Sequence, residues 1–317
     1  MGSGRHRILE GSYIRVDGDI YAVKGVLHPR DKIIALPVYI KSSGGYLRIR
    51  SFREAMRYLE LSKPKYLERL DFTGQVTPVV PVEDVERIYD PLEFYTASTE
   101  AGRDALDFKK MIESSIGIEV GVSGSILLGL DSPSSDIDLV VYGLEDGRSL
   151  IDELRELRIR GIVKPARTYD WIIETRRDSS LSPERWLEIE SRKLLTGTFR
   201  DRLYTLKIVP LPSEYWEDIS QKVVEVGRSG LVCKVTGSRF SKTTPNMYDL
   251  EVLKVLYGDE VAWKVSSAMS MRSRFAEIAE IGDRVMVEGR VEEVILESGR
   301  SFRVFLGNDL RDVIIPL

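Results

Sequence analysis

Asp136 and Asp138 stand two apart at the head of the apolar run Ile137 to Tyr142, and no other pair in this 317-residue chain is better placed to do chemistry. The run reads as a strand, and residues two apart on a strand project from one face. Carboxylates side by side repel, and burial raises the cost, so such a pair shares a proton or a cation. A hard divalent ion, Mg²⁺ or Mn²⁺, meets that need with oxygen ligands drawn partly from protein and partly from substrate phosphate.

Gly124 and Ser125 lie ahead of the pair, after Ile118 to Val122, which reads as a short buried strand. A glycine there lets backbone approach a ligand closely, and Ser125 offers a hydroxyl at the first turn of a helix over Ser125 to Gly129, whose free N–H groups attract anions. The expected site holds a triphosphate tail at the Gly-Ser turn and metal on Asp136 and Asp138. An acceptor hydroxyl would then attack in line and pyrophosphate would leave.

The stretch resembles the signature of the DNA polymerase β-like nucleotidyltransferase superfamily. Val122-Ser123-Gly124-Ser125, ten intervening residues and Asp136-Ile137-Asp138-Leu139 match its pattern of a hydrophobic residue, Gly-Ser, a spacer and Asp-hydrophobic-Asp-hydrophobic, with Ser123 where an apolar residue is usual. The Ser134-Ser135 lead-in is also typical. Val23-Lys24-Gly25, His28-Pro29 and Tyr142-Gly143 are similar to an archaeal family of predicted nucleotidyltransferases. The resemblance implies an NTP substrate, phosphate contacts from Gly124 and Ser125, and Mg²⁺ on Asp136 and Asp138. Ser135, Arg202 and Lys207 join them as candidate nucleotide-binding residues, and the acceptor stays open among RNA, protein and small molecules.

Active members of that superfamily commonly add a third carboxylate on a later strand. Arg202 to Val209 is the best-shaped later strand, but Thr205 stands where the acid is expected. Asp170, within Tyr169-Asp170-Trp171-Ile172-Ile173, is the favoured third acid by local pattern, and Asp201 the alternative by proximity. Without such an acid the chain reads as a non-catalytic nucleotide- or nucleic-acid-binding protein on a degenerate nucleotidyltransferase fold. Arg200 and Arg202, two apart, are expected to share a face.

The elements that must position these residues suggest an α+β chain in three parts. Residues 1–95 read as a β-rich region with one helix, Phe52 to Leu61, capped by Ser51. Residues 96–210 hold the nucleotidyltransferase core of mixed sheet and flanking helices, opening with a helix capped by Ser98 or Thr99 that stops at Gly117. Residues 211–317 read as a small, mostly β domain, possible as a barrel. Its run Gly282 to Val291 is similar to an oligonucleotide-binding barrel, a texture that many small barrels share.

Composition bounds the rest. The single cysteine, Cys233, precludes an intrachain disulfide and sits in an alternating run that suits a buried strand thiol. With only His6 and His28, a histidine-rich zinc site is not expected. The net charge of -4 argues against global attraction to nucleic acid. No apolar run is long enough for a spanning helix and the start is not signal-like, so a cytoplasmic protein is expected. Abundant Arg, Lys and Glu with few Asn, Gln and Cys is a thermophile's composition.

Overall fold

The computed structural model describes residues 8–166, 169–176, 179–307 and 309–317; His6 and the polar start from Met1 to Arg7 lie outside them. The fold is α+β. The N-terminal part comprises β1 (Tyr13–Val16), β2 (Asp19–Val23), β3 (Lys32–Ser42), β4 (Gly45–Arg48), helix α1 (Phe52–Ser62), β5 (Leu67–Leu70), β6 (Gln75–Pro81) and β7 (Arg87–Tyr89). These strands form an antiparallel sheet in the order β5-β6-β3-β2-β1-β7, with β4 folded back on β3. Ser51 caps α1 as expected, its hydroxyl accepting from the Glu54 backbone N–H.

The central part runs α2 (Glu100–Ile116), β8 (Gly121–Val122), α3 (Gly124–Leu128), β9 (Ile137–Tyr142), α4 (Leu144–Ile159), β10 (Val163–Pro165), α5 (Tyr169–Thr175), α6 (Pro183–Arg192), β11 (Thr196–Phe199) and β12 (Arg202–Val209). Thr99 is the cap of α2, and Gly117 ends it in the left-handed region at φ 72°. The sheet order is β10-β11-β12-β9-β8, with β9 and β12 parallel.

Period-two alternation divides this sheet. Ile137, Leu139, Val141, Tyr204, Leu206 and Ile208 pack beneath α2 and α4 in the main core. Val140, Tyr142 and Val209 turn the other way, meeting Leu9 and Val26 of the N-terminal part. Asp138 and Lys207 share the parity of Val140 and Val209, so the N-terminal part roofs the face that carries these candidate site residues.

The C-terminal part comprises β13 (Lys222–Phe240), β14 (Asn246–Tyr257), β15 (Val265–Ser270), β16 (Arg284–Leu296), β17 (Gly299–Leu306) and β18 (Val313–Pro316). They pair in the order β13-β14-β15-β17-β16-β18, and the long, bulged β13 also pairs with β16. Five strands therefore make a closed circuit of pairings. Cys233 lies buried within it, and burial pushes its thiol up to about 12. Ile172, Trp186 and Ile189, from α5 and α6, pack into this same core. Among the described residues no helix is long and apolar enough to cross a membrane.

Candidate active site

Gly124 opens α3 with φ +66°, a conformation glycine adopts freely. A Cβ at this position would stand 2.1 Å from Asp138 Oδ2, so the turn and the carboxylate are in direct apposition. Backbone pairing sets this up: β8 lies antiparallel to β9, and the Ser123 N–H donates to the Asp138 carbonyl at 2.8 Å. Ser123, the departure from the usual apolar residue, also has a task. Its hydroxyl donates to the Gly11 carbonyl at 2.7 Å, tying the turn to the N-terminal part.

Ser125 follows on α3, its hydroxyl 3.3 Å from that of Ser135. Ser135 in turn accepts from the Ser132 backbone N–H at 2.8 Å, closing the loop that leads to Asp136. Arg202 holds the same loop from outside. Its guanidinium donates to the carbonyls of Pro133 at 2.7 Å and Ser135 at 3.0 Å, while Nε meets Asp104 at 3.0 Å. Arg202 therefore positions the loop, with Nη1 committed to the loop carbonyls and Nε to Asp104 on α2. Arg200 does not share its strand: Arg200 and Asp201, at φ 51° and 62°, form the two-residue turn between β11 and β12. Arg200 pairs with Asp107 at 2.6 Å, and the exposed Asp201 with Lys164 at 3.6 Å.

Burial and mutual repulsion act on the acid pair. Asp136 is pushed up to about 6, first by burial, then by Asp138 and by Glu174, against the pull of Arg48 and the Trp171 indole. Burial also raises Asp138, opposed by Lys207 and Arg48. The charged forms of both carboxylates are thus disfavoured by the protein alone. An oxygen-only donor pair in that state, with the Gly124 backbone beside it, fits a divalent cation shared with substrate phosphate. Among the described residues no cluster of three or more potential ligand side chains forms.

Lys207 is anchored on the same face by Glu10, at 2.8 Å. Burial works against its charge, yet Glu10, Tyr13 and Asp138 hold its pKa above the usual lysine value. Lys24 approaches the same Glu10 oxygen at 3.6 Å. Burial pushes Glu10 up, but the two lysines and the Gly25 N–H more than offset this and keep it ionised.

The third-acid candidates do not join the pair. Asp170 lies exposed on α5 and is not among the groups acting on Asp136. Its five-residue window suits a buried strand as well as a helix turn, and here a single residue, Ile172, is buried on a helix. Thr205 is the register partner of Asp138 across β9 and β12. Besides Asp138, the acid that acts on Asp136 is Glu174, on the same helix as Asp170, held by Arg50 at 2.6 Å.

Sequence reading missed Arg48, Arg50, Glu10 and Glu174. The arginines come from β4 and the residues following it, some ninety positions from the motif, and only the roofing of the sheet brings them near. His28, by contrast, is structural. Its Nε2 meets the Ile8 carbonyl at 2.9 Å and Nδ1 accepts from the Ile34 N–H at 3.2 Å, which suits a neutral ring that burial also favours.

Comparison with known proteins finds a likeness over nearly the full length. The chain is 25% identical over 320 aligned positions to "Uncharacterized protein MJ1086" of Methanocaldococcus jannaschii, covering 90% of this chain and 91% of that protein. No protein-family model matches, and no solved structure matches.

Proposed function

We propose that this chain is a metal-dependent nucleotidyltransferase that moves the nucleotidyl part of an NTP to an acceptor hydroxyl and releases pyrophosphate. The observation that carries the proposal is the contact between the Gly124 turn and the Asp138 carboxylate, with Asp136 two residues away on one strand edge. Asp136 and Asp138 would hold Mg²⁺ or Mn²⁺. When bound, the ion supplies charge neutralisation at the α-phosphate and at the oxygens entering and leaving it.

The chain's own residues do the remaining work. Gly124 leaves room for phosphate against backbone, and Ser125 and Ser135 offer hydroxyls at the same turn. The helix α3 is only five residues long, so local N–H donors matter there more than a macrodipole. Arg48, which favours the charged form of both carboxylates, is the exposed cation best placed to follow the triphosphate. Lys207 adds half-buried positive charge, and Glu174, held by Arg50, bears on Asp136 electrostatically rather than as a third ligand. In the transfer a bond forms between the acceptor oxygen and Pα, the Pα–O bond to pyrophosphate breaks, and the acceptor's proton passes to solvent.

An NTP radiolabelled at the α-phosphate, incubated with Mg²⁺ or Mn²⁺ and cell extract, is expected to label an acceptor, and the same NTP labelled at the γ-phosphate is not. Equal α-labelling by an Asp136→Ala/Asp138→Ala variant would defeat the proposal.

Thr205 beside Asp138 favours a second reading, a nucleotide- or nucleic-acid-binding protein without turnover. Calorimetry separates the two. Tight nucleotide binding that needs no divalent metal, with no pyrophosphate formed over a long incubation, supports the binding role.

A further inference from the structure

A cavity of about 260 Å³ lies between the N-terminal sheet and the C-terminal strands, away from the acid pair. Its walls are mainly apolar, with Leu36 from β3, Phe52 from α1, Phe72 after β5, Met271 after β15 and Phe305 from β17. Ligand pockets are typically of this character, apolar with a few convergent polar groups, and run from roughly 300 Å³ upward. This one suits a short chain or a single ring system.

The charged lining is lopsided. Lys24, Arg272 and Arg303 face one acid, Glu217. Glu217 is already engaged, meeting Arg303 at 2.7 Å, Gln221 at 2.9 Å and Tyr215 at 2.8 Å. Arg303 is held a second time by Glu292 at 2.8 Å. Lys24 is the surplus cation. The Glu10 oxygen it approaches at 3.6 Å is already bound by Lys207 at 2.8 Å, so Lys24 is the second, looser cation on one carboxylate. Burial lowers its pKa, Glu10 opposes this only in part, and Lys207 and Arg272 add to the lowering, so a second anion would favour its charged form.

We propose that this cavity is a second binding site, taking a small amphipathic anion whose apolar body fills the Phe72–Met271 wall and whose single acidic group is held by Lys24. It stands independently of nucleotidyl transfer. It also lies one ion pair from the acid face, since Glu10 links Lys24 to Lys207 and Lys207 acts on Asp138.

Calorimetry on the full chain with octanoate, octyl phosphate and 1-octanol tests the proposal. One of the two anions should saturate at one per chain, and neutral 1-octanol should bind at least about tenfold more weakly, the loss of one charge-assisted contact. Whichever anion binds better tells whether a carboxylate or a phosphate ester is preferred, and either preference supports the site. Lys24→Met should reduce the anion to the level of 1-octanol, Leu36→Trp should abolish binding by filling the cavity, and Asp138→Asn should leave binding unchanged even if nucleotidyl transfer is lost or never found. Because Leu36→Trp can disturb folding, methionine methyl NMR of the unmodified chain gives a second readout. Octanoate should move the Met271 methyl resonance and leave that of Met111 in place. Failure of both anions to saturate, undiminished anion binding by Lys24→Met, or an unmoved Met271 methyl would overturn the proposal.

Discussion

Thr205 is the direct neighbour of Asp138 in the parallel pairing of β12 with β9, so their side chains leave the sheet on one face. An aspartate there would add a third oxygen donor of full charge, where threonine offers a neutral hydroxyl. Thr205→Asp should therefore bind Mn²⁺ at least about tenfold more tightly than the parent chain, as read by calorimetry. Unchanged affinity would mean that the side chain at 205 does not reach the ion.

Gly124→Ala carries two costs. An alanine must adopt φ +66°, which costs about 1–2 kcal/mol, and its methyl group enters the space of the Asp138 carboxylate. The variant should melt several degrees lower and lose at least about a hundredfold in nucleotide affinity, equivalent to roughly 2.7 kcal/mol. A variant with parental nucleotide affinity would show that phosphate does not pass by this turn.

Much of this arrangement was legible because local rules and tertiary packing agree. The apolar run of β9 fixed the parity of Asp138, Ser51 and the Ser98-Thr99 pair announced helix starts, and Gly117 a helix stop. Reading failed where short windows are ambiguous or partners are remote. Tyr169 to Ile173 carries too few residues to separate helix from strand periodicity, so the local pattern around Asp170 does not show that the residue lies exposed on a helix. Arg202 looked like a phosphate ligand because nothing local reveals that Asp104 and two loop carbonyls occupy it. Glu10, in an unpatterned segment, carried no signal of its pairing with Lys207.

The raised pKa of Asp136 makes a prediction about pH. A carboxyl whose pKa is higher in the folded chain than in the unfolded chain binds its proton more tightly when folded. Its contribution is therefore fully present below the unfolded value near 4 and is lost as pH rises through about 6. Stability should fall over that interval by at most about 3 kcal/mol, and Asp136→Asn should flatten the decline. Mg²⁺ should raise the melting temperature at pH 7.5 and have little effect at pH 4.5. An equal Mg²⁺ shift at both values, or one retained by Asp136→Asn/Asp138→Asn, would assign the ion to another site.

Arg48 and Lys207 should separate by readout. Arg48 is exposed, so Arg48→Ala should leave the melting temperature within about 2 °C while weakening NTP binding by about tenfold. Lys207→Met strips the closer partner from buried Glu10 and should cost about 3 kcal/mol in urea unfolding. If the two variants are equally stable, Glu10 does not depend on Lys207.

The most direct test is Mn²⁺ binding followed by electron paramagnetic resonance, with and without a non-hydrolysable NTP analogue, in the parent chain and in Asp136→Asn/Asp138→Asn. The account predicts Mn²⁺ binding that the analogue strengthens and that the double variant loses by at least about a hundredfold. Equal Mn²⁺ and analogue binding by the double variant would contradict it.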